Sequence, residues 1–198
     1  MIDRVIRKES ISVEALKSGD RVALAQMVEQ FSPSIYRLGL KMLGDEQDAE
    51  DILQDTFLKA IKALPAFEER SSLSTWLYRI AMNEILMVIR KCKHPAFSMD
   101  EEVENEDGVQ EPVEIVDFCC LPEKELVDEE ARKHLNRAVQ DLSPALRSVF
   151  VLRDVEGLSV RETADALDIS EAAVKTRLLR ARLQLREDLS GYYGKRFQ

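Results

Sequence analysis

Apolar residues recur at helical spacing over residues 11–93 and again from about residue 123. Residues that begin or break helices separate these periodic stretches, namely Asp20, Ser32-Pro33, Gly44-Asp45, Pro65 and the pair Ser71-Ser72. Ser32 followed by Pro33 is typical of a helix start, because proline suits the first helical position. We therefore predict an all-α N-terminal domain over residues 1–94, in which a new helix begins at Ser32-Pro33.

The pattern lapses over residues 95–130, which have few apolar residues, three prolines and no sustained period. Residues 98–130 carry fourteen acids and one base, so this segment holds a charge of −13 and the rest of the chain is at +4. Such a composition predicts an acidic flexible linker. As a free coil of about 35 residues it would span roughly 30 Å on average. A linker of this kind does not fix the distance between the domains on either side.

Residues 131–198 form a second predicted domain, which contains a helix-turn-helix. Ser159 and Glu162 have the spacing of a capping box, and Asp168 tolerates the tight turn that follows. Ser170 begins a second helix whose inward stripe is Val174, Leu178, Ala181 and Leu185. Its other side carries the basic and polar residues Lys175, Thr176, Arg177, Arg180, Arg182 and Arg186. These residues favour a DNA-binding helix, the alternative being a solvated basic face on a helical bundle.

Enzymatic and membrane functions find no support in the sequence. There is no Gly-rich phosphate loop, HExxH motif or nucleophile motif, so we predict no enzyme and no cofactor. Cys92, Cys119 and Cys120 lack a CxxC spacing and are expected to be reduced thiols without a metal, although a redox role stays open. No apolar run approaches the ~20 residues of a membrane span, and the first ten residues lack the apolar core of a signal peptide. We predict a cytoplasmic protein with no membrane insertion.

Two blocks of the chain resemble the bacterial RNA polymerase sigma factors, specifically the extracytoplasmic-function (group IV) type. Residues 48–60 (DAEDILQDTFLKA) and 75–83 (TWLYRIAMN) resemble sigma region two. Residues 152–159 (LRDVEGLS) and 174–182 (VKTRLLRAR) resemble region four. The resemblance implies a transcription initiation factor that binds core RNA polymerase, directs it to promoter DNA and melts the promoter.

The resemblance also assigns roles to particular residues. Core-polymerase binding falls to Asp48, Asp51, Gln54 and Asp55, whose three acids share one helical face; a solvated acidic face is the alternative. Recognition and melting of the minus-ten element fall to Phe67, Trp76, Arg79 and Asn83, although Trp76 on its own is typical of a core residue. Recognition of the minus-thirty-five duplex falls to Lys175, Thr176, Arg177, Arg180 and Arg182.

Two questions stay open at this level. The main alternative function is a stand-alone helix-turn-helix transcriptional regulator whose N-terminal domain dimerises or senses a ligand. An anti-sigma factor is a further candidate partner, since this family commonly has one, but no residue of the sequence establishes it.

Overall fold

The computed structural model describes residues 11–92 and 129–196, and within these two stretches every regular element is helical. The all-α fold class is thereby confirmed. The predicted linker falls almost entirely outside the described residues, as do Cys119 and Cys120. The α-helices are α1 Val13–Lys17, α2 Arg21–Leu43, α3 Glu46–Ala63, α4 Leu73–Cys92, α5 Glu129–Asp141, α6 Pro144–Phe150, α7 Val160–Leu167 and α8 Glu171–Arg196.

Helices α1–α4 form the N-terminal unit, a bundle in which α2 packs against both α3 and α4. Helices α2 and α3 approach each other closely at Gly39, where a Cβ atom would lie 3.1 Å from the Cα of Ala49. Asp45 caps α3 by accepting from the backbone N–H of Asp48 at 3.0 Å. The chain then makes a 3₁₀ turn over Leu64–Ala66 before α4 begins. Proline at residue 65 ends α3, as predicted.

Helix α2 runs without interruption through Pro33, so the predicted helix start at Ser32-Pro33 is wrong. Ser32 does not cap a helix, because its hydroxyl donates to the Val28 carbonyl within the same helix. Met27 before the proline and Ile35 after it are both buried in the same core, and this packing stabilises one continuous helix. Pro33 itself lies exposed on the opposite side. The packing outweighs the loss of the one hydrogen bond that proline cannot donate.

Helices α5–α8 form the C-terminal unit, in which α6 continues into a π-helical turn over Val151–Val155. The capping box predicted at α7 is present, with Ser159 accepting from the Glu162 N–H and Glu162 accepting from the Ser159 N–H at 2.8 Å. Asp168 ends α7 in the left-handed conformation, at φ 55° and ψ 47°. The predicted inward stripe of α8 is buried at Val174, Leu178, Ala181 and Leu185.

The two units pack against each other. Leu142, Leu152 and Leu158 of the C-terminal unit belong to the same buried apolar cluster as Leu38 and Tyr78 of the N-terminal unit. The linker was predicted not to fix the distance between the domains; in this structure the contact between them is made by apolar side chains that separate units would expose to water.

The continuity of α2 makes a prediction about stability. We expect Pro33→Ala to raise the free energy of unfolding by about 1–3 kcal/mol, because it restores a helix hydrogen bond at an exposed position. Ser32→Ala should change it by less than about 0.5 kcal/mol, since no cap is lost. Urea unfolding followed by circular dichroism measures both. A helix start at Ser32 would give the reverse result, with a loss of about 1 kcal/mol for Ser32→Ala.

Candidate nucleic-acid interface

The predicted acidic face of α3 points outward. Asp51, Gln54 and Asp55 are exposed and Asp48 is half-buried, while Ala49, Ile52, Thr56, Phe57 and Ala60 fill the inner side of the helix. One turn further on, Leu58 and Ile61 are also exposed, at 56% and 40%. Sequence reasoning missed these two residues. Leu58 and Ile61 lie four and seven residues after Gln54. This spacing places all three side chains on one side of a helix, and it could have revealed the two apolar residues.

Of the four residues assigned to the minus-ten element, Phe67, Trp76 and Arg79 come together in space. Trp76, Arg79 and Asn83 follow one another along one side of α4, and the loop before α4 brings Phe67 beside them. The Phe67 and Trp76 rings lie 4.7 Å apart between centroids and are tilted by 35°. Phe67 is buried and Trp76 half-buried, so the tryptophan contributes to packing and keeps part of its surface accessible.

An open cavity of about 420 Å³ lies next to these residues. Its lining comes from the loop and the start of α4, with one residue of the other unit: Ala66, Phe67, Glu68, Arg70, Ser71, Trp76, Arg79 and Asp165. Arg79 donates from Nε to the backbone carbonyl of Asp165 at 2.8 Å. Aromatic edges and guanidinium groups around a cavity suit an unstacked base with its phosphate. No sequence pattern indicated Asp165, because its contact with Arg79 joins positions 86 residues apart.

The residues assigned to the minus-thirty-five element lie on the outer side of α8. Lys175, Thr176 and Arg180 are exposed and Arg177 is half-buried. Ser170 caps the start of the helix, and its hydroxyl accepts from the Ala173 N–H at 3.1 Å. Lys175, Thr176 and Arg177 thus fall within its first two turns, the part of a recognition helix that reaches base edges.

Arg182 is in a different environment from the other basic residues of α8. It is half-buried and forms a two-point ion pair with Asp154, at 2.9 Å from Nε and 2.8 Å from Nη2. Asp154 belongs to the π-helical turn, so the pair joins this turn to α8. Two of the five N–H groups of Arg182 are used in this way.

Residues 11–92 and 129–196 contain no group of three or more His, Cys, Asp or Glu side chains that could hold a metal ion. In the same ranges no helix is both long and apolar enough to cross a membrane.

Comparison with known proteins matches both units to one family. Residues 27–94 match Sigma-70 region 2, and residues 132–185 match Sigma-70 region 4. The chain is 36% identical over 177 residues to the ECF RNA polymerase sigma factor SigW of Bacillus subtilis, covering 89% of this chain and 94% of that protein. It is 31% identical over 177 residues to the ECF RNA polymerase sigma-E factor of Escherichia coli, covering 88% and 90% of the two chains.

Solved structures agree with these matches. CnrH, in its complex with the cytosolic domain of CnrY, has a TM-score of 0.65 at 25% identity, covering 90% of this chain and 95% of CnrH. The sigma factor RpoE of Bartonella quintana, in complex with the anti-sigma factor NepR, has a TM-score of 0.60 at 25% identity, covering 84% and 96%. With both regions matched in order and relatives aligned along nearly their whole length, this chain belongs to the extracytoplasmic-function group of the sigma-70 family of RNA polymerase sigma factors.

Proposed function

We propose that three separate surfaces of this sigma factor carry out transcription initiation. The outer face of α3 binds core RNA polymerase, the cavity beside α4 binds the unpaired minus-ten strand, and the start of α8 reads the minus-thirty-five duplex. The observation that carries the proposal is the open cavity lined by Phe67, Trp76 and Arg79, with Asn83 one turn further along the same side of α4. The protein acts by binding and not by catalysis, in the cytoplasm where the polymerase works.

The role in initiation itself follows from the family. A sigma factor directs core RNA polymerase to promoters, and the two matched regions replace the alternative of a stand-alone helix-turn-helix regulator. The proposal concerns which residues of this chain do each part of the work.

The α3 surface suits a basic protein partner with an apolar contact at its centre. Asp51 and Asp55 are exposed one turn apart, and Gln54 adds a neutral hydrogen-bonding group between them. Leu58 and Ile61 extend this surface with apolar area that no other part of the described chain covers. Apolar contacts with a polar and charged rim are typical of protein interfaces. Nucleic acid is disfavoured here, because the carboxylates repel phosphate.

The cavity beside α4 combines three kinds of contact that a single DNA strand requires. Trp76 and Phe67 provide aromatic area for a base, and base–aromatic stacking contributes about 1–3 kcal/mol per base. The Arg79 guanidinium suits a phosphate, and the exposed Asn83 amide suits a base edge. Together these contacts offset part of the cost of opening the duplex.

The α8 surface divides into reading and holding residues. Lys175, Thr176 and Arg180 are exposed and able to enter a groove, and Arg177 lies at the edge of the same surface. Arg182 belongs to this surface as a candidate phosphate contact, but its guanidinium would be shared with Asp154. That ion pair also holds α8 against the rest of the C-terminal unit.

The structures of two relatives support an anti-sigma factor as a further partner. CnrH was solved with the cytosolic domain of CnrY, and RpoE of Bartonella quintana with the anti-sigma factor NepR. We propose that an anti-sigma factor likewise holds this chain inactive until it is needed.

The polymerase surface is tested by reversing its charge. We expect Asp51→Lys with Asp55→Lys to abolish assembly with core RNA polymerase and leave the helical circular dichroism unchanged, because both side chains are exposed. Glu29→Lys with Asp188→Lys makes the same change in net charge at exposed positions elsewhere and should assemble normally. A core-binding pull-down compares the two double variants. Normal assembly of Asp51→Lys with Asp55→Lys would show that the α3 acids form a solvated face that does not bind polymerase.

The α8 surface is tested by its dependence on DNA sequence. We expect Arg180→Ala to reduce the holoenzyme's discrimination between good and altered minus-thirty-five elements by about 1–3 kcal/mol, as for the loss of a bidentate base contact. Arg186→Ala, which removes an exposed arginine two turns further along α8, should preserve this discrimination. Binding titrations on a set of single-base promoter variants measure both. An equal loss of affinity for every sequence with Arg180→Ala would contradict a base-reading role.

A further inference from the structure

Lys17 of α1 contacts the loop before α4 at two points. Its ammonium Nζ lies 2.6 Å from Oε1 of Glu69, and the same nitrogen lies 5.9 Å from the centroid of the Phe67 ring. The first contact is a charged hydrogen bond, and the second is within cation–π range. Positions 17 and 69 are 52 residues apart, so one ammonium joins the start of the N-terminal unit to the loop.

The position of Lys17 is set by the packing of α1. Ser12 caps this helix by accepting from the Ala15 N–H at 3.3 Å. Leu16, next to Lys17, is 1% exposed and belongs to the same buried cluster as Leu64 of the 3₁₀ turn. The 3₁₀ turn, on which α1 packs, leads directly into the loop. The backbone of Lys17 is therefore held in place beside the loop that its side chain contacts.

Glu69 has a strained backbone conformation. Its φ is +58°, in the left-handed region that residues other than glycine seldom adopt. Its neighbours Glu68 and Arg70 line the cavity and pair with each other at 2.6 Å, whereas Glu69 is not among the lining residues and pairs with Lys17. A strained backbone persists only where surrounding contacts hold it, and such strain is concentrated at functional sites. The Lys17 ammonium provides a contact of this kind.

Phe67 connects Lys17 to the cavity. The Phe67 ring is buried, lies 4.7 Å from the Trp76 ring between centroids, and lines the cavity together with it. Lys17 lies over the Phe67 ring but is not one of the described residues that line the cavity. The ammonium therefore influences the cavity through Phe67 and Glu69, and not as part of its wall.

The ion pair of Lys17 with Glu69 matters for the shape of the loop more than for the stability of the fold. Its side chains are 30% and 53% exposed, and pairs with that much access to water contribute little to stability. A loop, in contrast, opens at a small cost in free energy, so a weak contact is enough to select one of its conformations. Loss of the Lys17 charge should therefore leave the helical bundle folded and loosen one wall of the cavity.

We propose that Lys17 is a positioning residue for capture of the unpaired minus-ten strand: it holds Phe67 and Glu69 so that the loop forms its wall of the cavity before DNA arrives. This inference rests on the proposed function, since it takes the cavity beside α4 to be the minus-ten site. A wall that is already formed lowers the entropy cost of ordering the loop when a base binds. The effect of Lys17 thus falls on the single strand, while the α8 surface reads its duplex independently.

The experiment measures binding of a fluorescent single-stranded minus-ten oligonucleotide to the assembled holoenzyme. We expect Lys17→Met, which keeps the apolar part of the side chain, to lower the affinity about three- to tenfold, as for the loss of one partly exposed ion pair and one cation–π contact. Lys17→Arg can make both contacts and should bind within about twofold of wild type. Arg21→Met removes one positive charge at an exposed position of α2 and should also stay within about twofold.

Glu69→Gln distinguishes a positioning role from a direct phosphate contact by Lys17. Removal of a carboxylate near DNA by itself strengthens binding, because it reduces the repulsion of phosphate. If Lys17 only attracted phosphate, Glu69→Gln would raise the affinity. We expect a loss similar to that of Lys17→Met, with the double variant no weaker than either single one, since all three lack the same contact. Glu14→Gln removes the same charge at an exposed position of α1 and should not lower the affinity. A gain with Glu69→Gln would overturn the proposal.

Trp76 reports on the loop without any DNA. It is the single tryptophan of the sequence and lies against Phe67, so tryptophan fluorescence of the free full-length protein arises at the cavity. We expect Lys17→Met and Glu69→Gln to increase quenching of this fluorescence by acrylamide at unchanged helical circular dichroism, and Lys17→Arg to leave it as in wild type. Quenching that stays at the wild-type value with Lys17→Met would contradict a role in holding the loop.

A last comparison distinguishes failure of this inference from failure of the proposed function. In the assembled holoenzyme, Trp76→Ala with Arg79→Ala should lower binding of the strand; if it does not, the cavity is not the minus-ten site and both proposals fall. If it does, but Lys17→Met binds the strand like wild type, only the positioning role is refuted. An equal loss of binding to a minus-thirty-five duplex with Lys17→Met would also refute it, because the cavity loop has no part in reading that duplex.

Discussion

The guanidinium of Arg147 joins the ends of two helices that belong to different units. Helices leave their last carbonyls without partners, and here one side chain serves both ends. Its Nη1 donates to the Met42 carbonyl near the end of α2 at 2.6 Å, and its Nη2 donates to the Leu142 carbonyl just after α5 at 3.0 Å. Burial lowers the pKa of Arg147, and the carbonyl dipoles around it offset the cost of burying its charge. The relative position of the units depends on this group of contacts.

Gln140 completes the same junction. Its side chain accepts from Arg147 at 2.7 Å and donates to the Lys41 carbonyl at 2.8 Å. Gly44, which ends α2 with φ at +79°, allows this approach, since a Cβ there would lie 3.3 Å from the Gln140 side chain. The turn that sets the direction of α3 is thus also a contact point for α5. The direction of the α3 face proposed to bind polymerase and the packing of the C-terminal unit are set by the same few residues.

Two kinds of polar contact therefore cross the boundary between the units, and they differ in what they control. Arg147 and Gln140 bind backbone carbonyls at the end of α2, far along the chain from the residues of α4 that are proposed to bind DNA. Glu156 and Asp165 bind side chains of α2 and α4, and one of those side chains is the arginine proposed to hold phosphate. Charged hydrogen bonds of this second kind are strong when buried and easily exchanged once water or a phosphate replaces the partner. A boundary built from them suits a protein that must change partners during its work.

Much of the fold and of the three proposed surfaces was predictable from the sequence, because those features depend on residues a few positions apart. The capping box of Ser159 and Glu162, the left-handed Asp168 and the inward stripe from Val174 to Leu185 are local, and all were predicted. The outward direction of Asp51 and Asp55 followed from the same helical periodicity. Pro33 shows the limit, since its local signal was overridden by the core residues Met27 and Ile35 on either side. Only the tertiary structure placed Glu156 against Arg37, 119 positions away, and Asp165 against Arg79, 86 positions away. Such pairs have no periodicity to reveal them, because their meeting depends on how whole helices pack and on the apolar area that the packing removes from water.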